Sequence, residues 1–408
     1  MQTQLADFIR DTPEGREADA ILRKCVHCGF CTATCPTYQV LGDDLDSPRG
    51  RIYLMKRVLE GGEVTGRTRL HLDRCLTCRA CETTCPSGVR YGRLVDIGRE
   101  VVEQRTRRGA WDRLKRSLLS YGLARTRLFG FFLKVGQLLR PMAPGGLRRK
   151  IPEKTGQNTA WPAPRHARKM LVLAGCVQPA LAPSINAAAA RVLDRLGISL
   201  VEAAGAGCCG ALRFHLNRHE AGRDDMRALI DAWWPLVESN AVEAIVVTAS
   251  GCGVTVKDYA HLLAHDPAYR DKAARISALA RDLCEVIPAD FPPLRPHGTA
   301  AFQSPCSLQH GQQIRGRVEA LLARAGFELT PVPDAHLCCG SAGTYSLLQP
   351  AIAQELRGRK LAALQEGNPG CIATANIGCL AHLQAESAAP VRHWIELVDE
   401  ALARRMNP

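Results

Sequence analysis

The 408-residue chain has no apolar run approaching the roughly 20 residues that span a bilayer; the longest candidates, such as Ala244 to Ala249, are strand-sized. Met1 to Arg10 lacks an apolar leader core and carries Asp7, so neither a signal peptide nor a transmembrane helix is expected. No G-x-x-x-x-G-K-[ST] loop occurs, which excludes the P-loop class of nucleotide site. Gly205-Ala-Gly207-Cys-Cys-Gly210 matches G-x-G-x-x-G in letters, but its variable positions are paired cysteines and no acidic residue follows at the ribose position. A second version of the segment, Asp334 to Gly340, lacks the first two glycines. Without a flavin or nicotinamide site, the chain is not expected to oxidise an organic substrate itself, and no catalytic residue is assigned.

Acids are nearly missing from one stretch. Between Arg105 and Lys150 stand thirteen Lys or Arg and one acid, Asp112, so this segment carries most of the chain's net charge of +13. Trp111, Leu114, Leu118 and Gly122, then Leu128, Phe131, Phe132, Val135 and Leu139, recur at helical spacing, with Arg113, Arg116, Arg127, Lys134 and Arg140 largely between them. Two readings stay open for such basic amphipathic helices. Their apolar faces pack on this protein or a partner subunit, or they lie on an anionic membrane surface. No nucleic-acid motif accompanies the charge, so nucleic acid is not an expected partner.

What the chain has in abundance is cysteine, eighteen in all. In a long chain without a leader these read as reduced ligands in a cytoplasmic protein rather than a disulfide framework. Cys25-x2-Cys28-x2-Cys31-x3-Cys35-Pro36 recurs as Cys75-x2-Cys78-x2-Cys81-x3-Cys85-Pro86. Three thiolates at three-residue spacing wrap three corners of a cube, and the fourth corner must come from elsewhere. In two-cluster ferredoxin runs the fourth cysteine serves the other cluster. The expected ligands are therefore Cys25, Cys28, Cys31 and Cys85 for one [4Fe–4S] cluster, and Cys75, Cys78, Cys81 and Cys35 for the other. Zinc, which needs four ligands and commonly pairs two short knuckles, fits this doubled run poorly. His27, within the first run, reads as a loop residue, and Arg49, Arg51, Arg74 and Arg79 as partial neutralisers of cluster charge.

A longer repeat follows. Cys176, Cys208-Cys209-Gly210 and Cys252 are echoed by Cys306, Cys338-Cys339-Gly340 and Cys379, with the pair 32 positions after the first cysteine in both copies. Each copy reads as an α/β unit with strands at Lys169 to Val177 and Ala244 to Ser250, or at Thr299 to Cys306 and Cys371 to Asn376. A short strand precedes each paired-cysteine loop. The cysteines then fall at strand ends, where parallel sheets place ligand sites. The two remaining thiols, Cys284 and Cys371, align opposite Ile395 and Ile245 and read as buried apolar residues. The expected organisation is an α+β multidomain chain. An all-helical ferredoxin-type module occupies 1–103, a basic amphipathic segment 104–140, a Pro/Gly-rich linker 141–168, and two cysteine-rich repeats 169–290 and 298–408.

These runs, the paired-cysteine modules, and stretches such as Ser47-Pro-Arg-Gly-Arg-Ile-Tyr53, Cys85-Pro-Ser-Gly-Val-Arg90, Asp231-Ala-Trp-Trp-Pro235 and Val391-Arg-His-Trp-Ile395 resemble the iron–sulfur subunits of bacterial glycolate oxidases. The resemblance implies an FAD-containing partner subunit that oxidises glycolate to glyoxylate, a quinone acceptor, and a peripheral place on the cytoplasmic side of the inner membrane. Related architectures occur in anaerobic glycerol-3-phosphate dehydrogenase, lactate-utilisation proteins and heterodisulfide reductases, which keep an equivalent dehydrogenase subunit or a thiol–disulfide enzyme as alternatives. One departure matters. The heterodisulfide branch ends each module in Cys-x-x-Cys, whereas Ala249 and Asn376 stand at the first of those positions here. The four thiols left in each copy suffice for a further iron–sulfur cluster or a zinc ion, or the copy stands metal-free. If zinc is bound, His310, His336 and His382 are the expected extra ligands.

Overall fold

A computed structural model describes residues 1–142, 144, 158–288 and 294–406. Among them, no strand occurs before Arg168. Helices Pro13–Lys24, Pro48–Leu59, Gly66–Asp73 and Tyr91–Arg105 pack around Leu22, Met55, Leu59, Leu94 and Val95. Their starts are written locally: Thr12, Ser47 and Thr65 each accept a backbone N–H of the first turn, and proline opens two of the helices.

The rest of the described chain is built on two four-stranded parallel sheets. The first holds β1 (Arg168–Val172), β2 (Ile198–Val201), β3 (Ile245–Val247) and β4 (Ala280–Asp282) in the order β2-β1-β3-β4. The second holds β5 (Gly298–Gln303), β6 (Phe327–Leu329), β7 (Cys371–Thr374) and β8 (Val391–His393) in the matching order β6-β5-β7-β8. Strands β4 and β8 are three residues each and go beyond the sequence reading, as such short stretches leave little alternation to detect. The expected linker lies partly in 145–157, which falls outside the described residues, as does the expected boundary near 290.

Register corrects one alignment. Leu171 pairs with Ile245 and Ala301 with Ile372, so Cys371 stands opposite Ala244 and not Ile245. A one-residue slip along a strand moves a side chain to the other face. Cys371 is accordingly half-buried at the start of β7, packed beside the core, whereas Cys284 and Ile395 are both fully buried.

The copies share one core. Helices Ser184–Arg195 and Trp394–Met406 bring Ile185, Val192, Trp394 and Val398 together. Asp399 accepts from Arg191 and Arg195, each at 2.7 Å. At the sheet ends Ser250 N–H donates to Ala375 O at 3.1 Å.

The basic segment forms helices Ala110–Ala124 and Thr126–Leu139, whose Leu119, Leu123, Leu128, Phe129 and Leu133 are half-buried while Trp111, Leu114, Leu118, Phe131, Phe132 and Val135 stay exposed. The residues of the first helix that turn inward are Arg116, Ser120 and Ala124. The cause is Asp73, buried at the end of Gly66–Asp73, which accepts from Arg108 at 2.6 Å and Arg116 at 3.2 Å and so draws the polar edge to the protein.

Candidate functional site

The two ferredoxin-type runs fold as matching loops. His27 and Gly29 in the first, and Thr77 and Arg79 in the second, all take positive φ, so the backbone curls and turns the flanking thiols inward. Cys31 and Cys81 then start short helices, while Pro36 begins the helix Pro36–Leu41. The outcome is crossed. Cys25, Cys28, Cys31 and Cys85 line one small cavity, and Cys35, Cys75, Cys78 and Cys81 line the other, with Cys81 reaching both.

Cys31, Cys78 and Cys81 are poor anions unless a cation is near. Burial, with Cys25 beside it, pushes the Cys31 thiol up to about 11, and burial pushes Cys78 and Cys81 well above the ordinary range. Since thiolate is the ligand form, two sets of four sulfurs closing on small cavities fit a cationic metal centre. Second contacts orient them: Thr37 Oγ1 lies 3.2 Å from Cys35 Sγ, Tyr91 OH donates to Cys75 Sγ at 3.7 Å, and Thr77 N–H to the same sulfur at 3.4 Å. Arg51 is buried beside this second set, donating to His71 O at 2.7 Å and to Thr37 Oγ1 at 3.0 Å. Arg49 pairs with Asp44 at 2.9 Å and Arg74 with Asp46 at 2.8 Å. Arg79 does something the sequence did not indicate, bridging to Asp258 of the first copy at 3.0 Å, where Arg93 joins it at 2.9 Å.

In the repeats, all eight cysteines sit beyond the C-terminal ends of the strands. Each copy strings its four sulfurs in a row of neighbouring contacts, Cys176 to Cys208 to Cys209 to Cys252 and Cys306 to Cys338 to Cys339 to Cys379. Cys306 and Cys338 are 3.7 Å apart. A single tetrahedral zinc ion, with Zn–S near 2.3 Å, would hold every sulfur pair within about 3.8 Å. Among the described residues no three of these sulfurs lie within 4.8 Å of one another, although a neighbouring pair such as Cys306 and Cys338 stands at the spacing one zinc ion asks.

The glycine after each pair is required by geometry. Gly210 and Gly340 have φ of +83° and +87°, and a Cβ there would stand 2.5 Å from Gly222 O and 2.6 Å from Ala353 O. Each glycine N–H thereby reaches the sulfur two residues back, Cys208 or Cys338, at 3.4 Å.

The histidines proposed as zinc ligands are engaged elsewhere or stand apart. His310 has Thr83 Oγ1 2.9 Å from Nδ1 and His336 O 2.9 Å from Nε2, and His382 Nε2 is 3.3 Å from Ala353 O. His27 lines the first small cavity without joining its sulfurs.

The copies differ in their surroundings. Leu76, Cys78, Cys306, Cys338 and Tyr345 belong to one packed group, so the second copy abuts the second ferredoxin-type loop. A cavity of about 140 Å³ remains there, lined by Cys78, Cys306, Cys338, Cys339, Cys379 and His215, against about 20 Å³ at the neighbouring four-cysteine set. Asn376, at the position where a fifth thiol would stand, donates to Cys379 Sγ at 3.4 Å and accepts Gly251 N–H at 3.3 Å, linking the two rows. The first copy lies under the basic segment, with Thr126 Oγ1 donating to Gly175 O, beside Cys176, at 3.3 Å. Asp258 and Tyr91 carried no motif and were not foreseen, and Asn376 was marked by sequence only as the position of the missing thiol.

Comparisons agree with this layout. The family described as 4Fe-4S dicluster domain matches residues 21–89, and that described as Cysteine-rich domain matches 170–257 and 300–384. The glycolate oxidase iron-sulfur subunit of Escherichia coli is 54% identical over 99% of this chain and all of its own length. A probable glycolate oxidase iron-sulfur subunit of Bacillus subtilis is 29% identical over 89% of this chain and 88% of its own. Lactate utilization protein A of Geobacillus kaustophilus, 25% identical, covers 53% of this chain and 90% of itself. A crystal structure of a hypothetical protein from Helicobacter pylori shares the fold, with a TM-score of 0.53 at 10% identity over 95% of this chain and 72% of that one. The doubled ferredoxin run, the two paired-cysteine units and the full-length match together place the chain in the glycolate oxidase iron–sulfur subunit family.

Proposed function

We propose that this chain accepts electrons from an FAD-containing partner subunit that oxidises glycolate to glyoxylate, and delivers them towards quinone at the cytoplasmic face of the inner membrane. Two [4Fe–4S] clusters, held by Cys25, Cys28, Cys31 and Cys85 and by Cys75, Cys78, Cys81 and Cys35, supply one-electron transfer when bound. The observation that carries the reading is continuity: Cys78 of the second set packs with Cys306 and Cys338 of the second copy, whose row is joined through Asn376 to Gly251, next to Cys252 of the first. The chain's residues thus line a path that starts at exposed Cys28, beside the exposed side chains of Val26 and Phe30, and ends beside the basic segment.

The second row lies against Cys78 of the ferredoxin-type loop, where a redox-active iron–sulfur centre would continue the path and a zinc ion would not. Four thiols per copy, instead of five, and an asparagine occupied by two hydrogen bonds at the fifth position argue against a heterodisulfide-type reaction there.

The decisive experiment is anaerobic purification of the complex followed by iron analysis and electron paramagnetic resonance. Two clusters give about eight irons per chain, and a filled second copy raises the count. Cys28→Ser is expected to abolish turnover with a quinone analogue while the flavin subunit still reduces a dye. Stoichiometric zinc without iron, or quinone turnover unaffected by Cys28→Ser, overturns the reading.

A further inference from the structure

The helices Ala110–Ala124 and Thr126–Leu139 are built inside out. Arg116, Ser120 and Ala124 face the protein, while Trp111, Leu114, Leu118 and Tyr121 form one exposed stripe along the first helix. No residue of the second helix is buried; Phe131, Phe132, Val135, Leu138 and Leu139 are exposed, and Met142 beyond its end is 85% exposed. Single exposed apolar side chains are ordinary, but a continuous set of this length marks a contact surface.

Charge says what the contact is. Arg113, Lys115, Arg125, Arg127 and Lys134 are exposed around the stripe. The segment's single acid, Asp112, is turned to Arg108 and Arg116 at 3.0 and 3.3 Å. The outer face therefore offers cations, aromatic rings and aliphatic side chains, with no acid opposing a negative partner among its described residues. We propose that these two helices lie in the interface of an anionic lipid bilayer, the apolar side chains below the headgroups and the arginines and lysines at the phosphates.

The helices are fixed to the body at both ends of the contact. Arg108 and Arg116 hold Asp73 of the cluster module, and Thr126 holds Gly175 beside Cys176. Docking on lipid consequently sets the first copy's thiol row against the bilayer, where a lipid-soluble acceptor resides. This names the membrane surface of the proposed function and holds whichever hydroxy acid the partner subunit oxidises.

The test is co-sedimentation of the full-length holoprotein with phosphatidylcholine vesicles, pure or with about one lipid in three replaced by phosphatidylglycerol. Binding about tenfold or more tighter to the anionic vesicles, weakening with salt, is expected. The double variant Leu118→Glu, Phe132→Glu should lose at least about tenfold of that binding with iron content unchanged. Lys115→Glu, Lys134→Glu leaves the apolar stripe intact and should lose the preference for anionic lipid; it decides the question alone if the first variant loses iron. Equal binding to neutral vesicles, no binding to either, or lipid binding intact in the variants while the flavin subunit no longer co-purifies each overturns the proposal. The last would give the surface to a protein partner.

Discussion

Arg51→Gln separates a charge that tunes a cluster from one that merely fills space. The guanidinium is 1% exposed. Its Nη1 is 3.0 Å from Thr37 Oγ1, which lies 3.2 Å from Cys35 Sγ, so it stands within about 6 Å of a sulfur of the second set. Asp46 does not cancel it, because that carboxylate is shared with Arg74 at 2.8 Å and approaches Arg51 at 3.3 Å. Removing Arg51 leaves Arg74 and Asp46 balanced and takes one positive charge from the cluster's edge. At roughly 6 to 8 Å and an effective dielectric near 20, one unit charge interacts by about 2 to 3 kcal/mol. For one electron this is on the order of 100 mV. Reduction adds negative charge, so losing the cation lowers the potential.

The assay is a redox titration followed by electron paramagnetic resonance, on protein whose iron content matches wild type. The expected result is a fall of about 100 mV in the centre held by Cys35, Cys75, Cys78 and Cys81. The centre held by Cys25, Cys28, Cys31 and Cys85, whose cavity Arg51 does not line, should move far less. Arg51→Lys should recover most of the shift. A change below about 20 mV, an upward change, or equal movement of both centres would refute the electrostatic account.

Three further outcomes follow from burial and contact. Asp73→Asn takes one carboxylate from Arg108 and Arg116, which keep Glu103 and Asp112, and should cost about 1 to 2 kcal/mol in chemical denaturation and raise hydrogen exchange across 110–139. Gly340→Ala forces a Cβ against Ala353 O at positive φ, and should cost about 2 to 3 kcal/mol, read as a lower melting temperature, while Gly358→Ala, whose Cβ meets nothing within 4 Å, does not destabilise. Glu17 and Glu100 are held below the ordinary carboxylate range, first by hydrogen bonds from His261 and His219. Their contribution to the contact between cluster module and first copy is thus complete above about pH 4.5 and lost as pH falls through the lower folded values. Glu100→Gln should remove part of that acid-dependent step in hydrogen exchange across 219–238, and an unchanged pH profile would remove these pairs from the interface.

Spacing told most about chemistry and least about neighbours. The doubled run identified eight cysteines because a cube constrains where sulfurs stand along a chain, and the 32-residue interval exposed the second repeat. The fourth strands escaped because three residues such as Ala280–Asp282 leave too short a pattern to read. Cys371 lies eight residues before Cys379, as Ala244 lies eight before Cys252, so the spacing to the last cysteine of each copy already carried the alignment that backbone register shows. The left-handed turns at His27, Thr77 and Arg79 were hidden for another reason, since only Gly29 among the four carries the residue type that announces such a turn. For the basic segment, helical periodicity correctly marked two amphipathic helices but carried no information on which edge faces inward. A buried acid 39 residues before Asp112, Asp73, decided that.

Equal motifs, finally, need not mean equal roles. Both copies place four thiols on the same strand ends, with the same glycine geometry, yet the second packs its row against Cys78 through Leu76 and Tyr345, whose hydroxyl donates to Arg74 O at 3.0 Å. The first meets the cluster module through ion pairs, Asp258 with Arg79 and Arg93 and His219 with Glu100, and gives its Cys176 loop to the amphipathic helices. An apolar contact brings sulfurs close and keeps water out, which suits transfer between centres. A charged contact holds two bodies in register without bringing their thiols together. The two similar thiol sites therefore differ in their surroundings, one set against the ferredoxin-type loop and the other beneath the amphipathic helices.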